Sequence, residues 1–249
     1  MMSSLLNFFN LILYQPLFNA LILLYQYLPG RDFGVAIIVL TAAIRTILYP
    51  SMVQSLKSQK TMSELQPRLK EIQQKFKDDK ERQAKETMEM YKKEKINPLG
   101  GCLPLLIQLP ILIALYQVFW KGFEVNEMAN LYSFVPHPAQ ISPTFLGIIN
   151  LAAPSIVLAI LAGITQFFQA WHQNKYGMQK PKTGAEKTDQ FSSMMQKQMI
   201  YFFPFFTFFI LWKMPSAIGI YWITTNLFSI FQQYLVFRKP SPALRDEGR

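Results

Sequence analysis

Arg45 is the side chain whose position most restricts its chemistry. It lies in an otherwise uncharged run, residues 33–53, that is long enough to cross a bilayer, which takes about 20 apolar residues. A cation near the centre of such a span costs on the order of 2.5–3.5 kcal/mol, and none of the long apolar runs contains a carboxylate to neutralise it. We therefore expect the guanidinium to face protein or water, where it would attract an acidic guest. Thr41, one helical turn earlier, shares its face.

Polar side chains also recur at helical spacing in other apolar runs. One stripe, at i, i+3, i+4, i+7 and i+11, consists of Trp222, Thr225, Asn226, Ser229 and Gln233. Another consists of Gln166, Gln169 and Gln173, and the run at 98–120 contains Gln108 and Gln117. Such residues either hydrogen-bond neighbouring helices to one another, as is common in membrane bundles, or surround a wet cavity. Several stripes together with an unpaired arginine favour the cavity.

Sequence signatures of catalysis are absent. The chain has no G-x-x-x-x-G-K-[ST] phosphate loop, no H-E-x-x-H zinc motif and no G-x-S-x-G nucleophile turn. His137 and His172 are predicted to be surface residues, and Cys102 is predicted to be a packing residue. We expect a protein that is not an enzyme and that uses neither a metal nor a cofactor.

The elements that would hold these side chains are membrane helices. The chain is 51% apolar and only 16% charged, whereas about a quarter of the residues of a soluble domain are charged. Its long apolar runs predict five spans. They lie at 33–53, 98–120, 145–171, 199–213 and 216–237. The predicted fold is an all-α polytopic membrane protein.

Basic residues predict which segments face the cytoplasm. Residues 57–95 contain twelve Lys and Arg, residues 172–198 contain five, and the tail at 238–249 contains four. The positive-inside rule places all three segments, and the C-terminus, in the cytoplasm, and puts the loop at 121–144 outside. The basic tail suits either anionic lipid headgroups or ribosomal RNA.

Three further segments complete the predicted architecture. In residues 1–30 the polar side chains share half of a helical wheel, which predicts an amphipathic helix lying on the outer interface; a sixth span is the alternative. Residues 54–97 predict a cytoplasmic helical hairpin, which is either a solvated connector or a surface that receives an arriving segment. Residues 172–198 predict a cytoplasmic connector.

The motifs of this chain resemble those of the YidC membrane insertase family, whose relatives also serve mitochondria and chloroplasts. The resemblance covers nearly the whole chain from residue 15 onward, and its most specific part is the block NPLGGCLPLLIQ at 97–108. Further matches are QPLF at 15–18, AIIVLTAAIR at 36–45, LQP at 65–67, DDK at 78–80, FILW at 209–212 and YWITTN at 221–226.

The resemblance implies a five-span insertase core around a hydrophilic groove that is open to the cytosol and to lipid and closed outside. Family groove positions match Arg45, Thr41, Gln166 and Trp222, although some members carry tyrosine at the last of these. We add Gln108 and Asn226 from the polar stripes to this candidate site.

Such a groove would admit nascent membrane proteins and release them laterally into the bilayer without an energy cofactor. The implied location is the bacterial inner membrane, and the implied partners are nascent membrane proteins and the lipid bilayer. DNA is not expected, and the Sec translocon and the ribosome, the latter through the basic tail, stay open as partners.

Two other classes of protein compete with an insertase. A small-solute transporter or channel would use Arg45 to bind an anion, but such folds usually contain internal repeats, and no second arginine-bearing span is visible. A purely structural scaffold would leave Arg45 unexplained.

Overall fold

The computed structural model describes residues 2–94, 103–121, 125–138, 140–177, 194 and 198–238. The chain is mostly helical in these ranges, which agrees with the predicted helical fold. The helices are α1 (Met2–Phe9), α2 (Gln15–Tyr27), α3 (Phe33–Ile47), α4 (Tyr49–Glu64), α5 (Gln66–Lys75), α6 (Lys80–Lys93), α7 (Leu103–Lys121), α8 (Ile156–Gly177), α9 (Phe203–Leu211) and α10 (Ser216–Phe237). Two short strands, β1 (Thr144–Phe145) and β2 (Ile149–Asn150), pair antiparallel.

The N-terminal helical run uses its polar side chains for contacts inside the protein. A π-helical turn, Asn10–Tyr14, joins α1 to α2. On the polar face Tyr14 and Asn19 are buried and Gln15 and Gln26 are half-buried, whereas apolar residues such as Phe8 and Leu11 are exposed. Asn19 donates a hydrogen bond to the carbonyl oxygen of Asn130 (3.0 Å) and accepts one from a backbone N–H in the same loop (2.6 Å). Part of the polar face therefore makes contacts inside the protein.

The run predicted as one span at 33–53 is divided between two helices. α3 ends at Ile47 and α4 begins at Tyr49. Pro50, in the first turn of α4, explains the break, because its ring clashes with the carbonyl four residues earlier and it has no N–H to donate. Proline is well tolerated at a helix start, so a second helix begins at this point.

The span predicted at 145–171 begins later and ends later than the sequence indicated. Its first residues form the β1/β2 hairpin, in which Leu146 and Gly147 adopt positive φ angles of 53° and 69°. The helix α8 begins only at Ile156, after Pro154, and continues to Gly177. The prediction failed here because an apolar hairpin has the same composition as the start of a membrane helix.

The last predicted span, 216–237, has the bounds of α10. The span predicted at 199–213 corresponds to a π-helical turn, Gln198–Phe202, followed by α9. For the run at 98–120, the structure describes the part that belongs to α7. The predictions for Cys102, for most of the 172–198 connector and for the tail beyond Arg238 fall outside the described residues.

Length and composition alone single out few of these helices as membrane spans. Among the described residues, Leu6–Tyr27 is long and apolar enough to cross a membrane, and the α3 and α4 pair would be a second if it is one broken span. Leu106–Trp120 and Gln198–Leu211 are apolar but shorter. The number of spans, and the choice between an interfacial and a spanning N-terminal helix, stay predictions.

The chain divides into two compact units. The first contains Met1–Ile47, Leu106–Phe167 and Tyr201–Phe228. Its apolar core comes from α2, α3, α7, α8 and α10. Two glycines lie close against side chains of other elements: a Cβ at Gly34 would meet the ring of Phe145, and one at Gly219 would lie 3.3 Å from Cβ of Leu158.

The second unit contains Leu48–Leu105, Phe168–Ile200 and Ser229–Arg249. Its α5 and α6 form two antiparallel arms where the sequence predicts a helical hairpin. Asp79 caps α6 by accepting a hydrogen bond from the backbone N–H of Arg82 (3.0 Å), which is a favourable arrangement at a helix start. Arg68 and Glu94 form an ion pair between the arms at 3.0 Å.

Candidate functional site

Arg45 and Thr41 lie on the buried face of α3. Arg45, in the last turn of the helix, is 7% exposed, and Thr41 is 2% exposed. The Thr41 hydroxyl donates to the carbonyl oxygen of Ile37 at 2.6 Å, so its own helix satisfies it. No carboxylate among the described residues lies within ion-pair distance of Arg45. This part of the chain therefore buries a cation without an acidic partner.

Tyr221 on α10 hydrogen-bonds to one of the predicted site residues. It is 2% exposed, and its phenol oxygen accepts a hydrogen bond from Nε2 of Gln108 on α7. The phenol also lies within electrostatic range of Arg45. A buried charge is costly without polar groups nearby, and Tyr221 places one such group near the guanidinium.

The other predicted site residues connect α8 to α10. Trp222 donates from Nε1 to Oε1 of Gln166 at 2.8 Å. Asn226, which is 4% exposed, donates from Nδ2 to the hydroxyl oxygen of Thr165 at 3.2 Å. Both bonds join neighbouring helices, as polar residues do in membrane bundles. Trp222 and Gln166 keep part of their surface exposed, whereas Asn226 does not.

Hydrogen bonds to α10 join several of these residues into two groups. Tyr221 bonds to Gln108 of α7, whereas Trp222 and Asn226 bond to Gln166 and Thr165 of α8. Thr41 bonds to its own helix, α3. Sequence reasoning missed Tyr221, because an aromatic residue in an apolar run is usually core. Its i, i+4 spacing from Thr225 was the available signal.

The rest of the glutamine stripe bonds helices to one another in the second unit. Gln173 donates to Oε1 of Gln59 on α4 (2.7 Å), and its own Oε1 accepts from Nε2 of Gln169 (3.0 Å) and of Gln233 on α10 (3.4 Å). For these residues the structure agrees with the first interpretation of the polar stripes, in which they form hydrogen bonds between neighbouring helices. Polar pairs of this kind hold α4, α8 and α10 together.

The two histidines differ in their surroundings. His137 is exposed, as predicted. His172 is half-buried, and its Nδ1 lies 3.2 Å from Oε1 of Gln233. The aromatic residues Tyr176 and Phe237 pack against this ring, and their positions depend on tertiary contacts that the sequence does not reveal.

The candidate site offers charge and hydrogen bonds. It contains one guanidinium, amide groups, hydroxyls and an indole N–H, which together can bind a polar or acidic polypeptide segment. In the described ranges, no three His, Cys, Asp or Glu residues lie close enough together to hold a metal ion.

Comparison with known proteins identifies the family. The sequence profile of the 60Kd inner membrane protein family matches residues 23–242. The chain belongs to this family. The family resemblance that the motifs indicated is thereby confirmed. The matched range includes all six candidate site residues.

Relatives in the 60Kd inner membrane protein family carry the name "Membrane protein insertase YidC". The chain is 35% identical over 208 residues to the relative from Fusobacterium nucleatum, which covers 84% of this chain and 87% of that protein. It is 36% identical over 225 residues to the relative from Wigglesworthia glossinidia brevipalpis and 37% identical over 226 residues to that from Psychromonas ingrahamii. The match covers 90% of this chain in both cases, but only 36% and 35% of those longer proteins.

Proposed function

We propose that this chain is a membrane protein insertase of the bacterial inner membrane. A nascent membrane protein binds in a hydrophilic groove and then moves laterally into the bilayer, without nucleotide hydrolysis. The groove residues are Arg45, Thr41, Gln108, Gln166, Trp222 and Asn226. Membership of the 60Kd inner membrane protein family and the names of the relatives support this proposal.

The observation that carries the proposal is the burial of Arg45 without an acidic partner among the described residues. Two opposite unit charges 4 Å apart attract one another by about 1 kcal/mol in water and about 4 kcal/mol at an effective dielectric constant of 20. An acidic residue in the translocated part of a substrate would therefore gain most by binding where water is scarce. Arg45 provides such a place.

The polar side chains around Arg45 would serve the rest of the translocated segment. A polar group that enters hydrocarbon without a hydrogen bond costs several kcal/mol. The amides of Gln108 and Gln166 and the indole of Trp222 can exchange their present partners for the backbone groups of a guest, because both hydrogen bonds link side chains only. A segment bound there would have a shorter distance of hydrocarbon left to cross.

Release into lipid would drive the reaction. Burial of apolar surface contributes about 0.8 kcal/mol per methylene group, so a hydrophobic substrate segment gains free energy as it leaves the groove for the bilayer. This gain makes a nucleotide unnecessary.

The proposal includes the predicted topology. The five spans follow from the long apolar runs, and the outer N-terminal helix follows from its amphipathic pattern. The cytoplasmic hairpin and the cytoplasmic C-terminus follow from the distribution of basic residues. Nascent membrane proteins and the bilayer are the proposed partners. The Sec translocon and the ribosome are open partners that this mechanism does not require.

Site-specific photo-crosslinking tests the proposal. A photoreactive amino acid at Trp222 should crosslink to a stalled nascent membrane protein, because this residue lines the proposed groove. Leu227 is a matched control: it lies on the same helix, about 140° around its axis at 3.6 residues per turn, and it is exposed. Equal crosslinking from both positions, or crosslinking from Leu227 alone, would contradict the groove.

A further inference from the structure

The C-terminal ends of α8 and α10 carry cations that stack on exposed aromatic rings. Nζ of Lys175 lies 4.8 Å from the ring centre of Trp171 and 5.1 Å from that of Tyr176. Cζ of Arg238 lies 5.5 Å from the ring centre of Tyr234. All five side chains are exposed. A ring covers only one side of a cation, so the N–H donors on the other side remain available to an anion.

His172 joins these two groups into one surface. Its ring centre lies 4.8 Å from that of Tyr176 on α8 and 6.3 Å from that of Phe237 on α10. Lys60 on α4 donates from Nζ to the carbonyl oxygen of Phe237 at 3.4 Å, which brings a third cation to the same helix ends. We call the surface formed by Trp171, Lys175, Tyr176, Tyr234 and Arg238 the basic aromatic surface.

Negative charge is scarce on α4, α8 and α10, the described helices that meet at the basic aromatic surface. Neither α8 nor α10 contains Asp or Glu, and no carboxylate in the described parts of the chain pairs with Lys175 or Arg238. The one acidic residue of α4 is Glu64, and its Oε2 is buried. The exposed charges that the described parts of α8 and α10 bring to this surface are therefore positive.

We propose that the basic aromatic surface binds the headgroups of anionic phospholipids at the inner face of the membrane, an inference that rests on the proposed cytoplasmic position of these helix ends. Trp and Tyr are enriched at the headgroup level of membranes, where their rings are partly apolar and their polar atoms are wet. Lys and Arg bind phosphate, the guanidinium in bidentate geometry. The positive charge would also attract the phosphate backbone of RNA. Three exposed rings at the ends of membrane helices favour lipid as the ligand.

Fluorescence quenching in vesicles tests this proposal on the full chain. The protein is reconstituted in phosphatidylcholine vesicles that contain an equal fraction of either brominated phosphatidylglycerol or brominated phosphatidylcholine. The chain has four Trp residues, so the contribution of Trp171 is the difference between the wild type and Trp171→Phe, which keeps a ring beneath Lys175. Each basic residue near an anionic bilayer contributes about 1 kcal/mol, which corresponds to roughly fivefold local enrichment of the anionic lipid at 1.4 kcal/mol per tenfold.

The expected result is stronger quenching of Trp171 by the brominated anionic lipid than by the brominated zwitterionic lipid. Lys175→Gln combined with Arg238→Gln should abolish this preference. Lys92→Gln combined with Lys93→Gln removes the same charge from exposed positions on α6 and should leave it intact. Equal quenching by both lipids in the wild type, or a preference that survives in the first double variant, would overturn the proposal.

Two further measurements separate this proposal from its alternatives. If the wild type shows no preference for the anionic lipid but ribosomal RNA changes the fluorescence of Trp171, the basic aromatic surface is an RNA site and the lipid assignment is wrong. Insertion activity is measured in the same vesicles. Lost lipid preference with normal insertion refutes only the lipid surface, whereas absent insertion with intact preference refutes only the proposed function.

Discussion

Replacement of Arg45 by alanine should impair insertion chiefly of substrates with acidic translocated segments. The guanidinium is 7% exposed and has no carboxylate partner among the described residues. It is therefore available to a guest and poorly screened by water. Arg45→Ala removes the attraction while the hydrogen-bonding side chains of the proposed groove remain.

The expected magnitude follows from the burial of this charge. A carboxylate 4 Å from the guanidinium gains between about 1 kcal/mol, if water fills the groove, and about 4 kcal/mol, at an effective dielectric constant of 20. At 1.4 kcal/mol per tenfold, the variant should lose roughly fivefold to several hundredfold in insertion of an acidic substrate relative to a neutral one. The measured ratio would thus report how wet the groove is.

The assay compares two substrates that differ only in the translocated tail, which carries either Asp or Asn at the same positions. Protease protection of the tail in proteoliposomes measures insertion. Damage to the fold by Arg45→Ala lowers insertion of both substrates equally, so it cancels from the ratio. Arg45→Lys keeps the positive charge without the planar fork and should retain most of the preference for the acidic tail.

An equal loss of insertion for the acidic and the neutral substrate would refute electrostatic capture by Arg45. So would an Arg45→Lys variant that behaves like Arg45→Ala, since it would show that charge is not the property that matters. In the latter case the role of the arginine would be structural.

Three further predictions address the groove, the fold and the hairpin. In a cysteine-free background, a cysteine at Trp222 should react with a membrane-impermeant thiol reagent from the cytosolic side faster than one at the buried position Asn226; labelling from outside only would exclude a groove open to the cytosol. Gly34→Ala should destabilise the protein by about 1–3 kcal/mol through overpacking, measured by thermal unfolding in detergent, and Phe145→Ala should restore part of the loss because it removes the ring that the new methyl group meets. Replacement of residues 65–90 by a short flexible linker should slow substrate delivery but leave the remaining helices assembled; a stable variant with normal insertion would make the hairpin a passive connector.

Sequence reasoning located the helices best where local rules fix their ends. The run that became α10 is bounded by Pro215 and Arg238, and its helix has the predicted ends. The prediction of one span at 33–53 did not apply the rule that proline favours the first turn of a helix. Pro50 lies in the first turn of the new helix α4. The β1/β2 hairpin was not predictable from composition, because it is as apolar as the helix that follows it.

The candidate site was predictable as a set of residue types but not as an arrangement. Arg45 and the stripe on α10 stand out as polar groups in apolar runs. The division of that stripe between neighbouring helices depends on how α10 is rotated in the bundle, which is a tertiary property. Tyr221 illustrates the limit: its sequence context indicates core packing, and its hydrogen bond with Gln108 gives it a polar role.

Insertion by the purified chain alone tests the central claim most directly. The protein is reconstituted in vesicles without any other protein or nucleotide, and a hydrophobic substrate with a short acidic tail is added. The account predicts a protease-protected tail in these proteoliposomes, far less protection in vesicles with Arg45→Ala, and only background protection in protein-free vesicles. Equal protection in all three preparations would contradict the claim that this chain provides the path across the membrane.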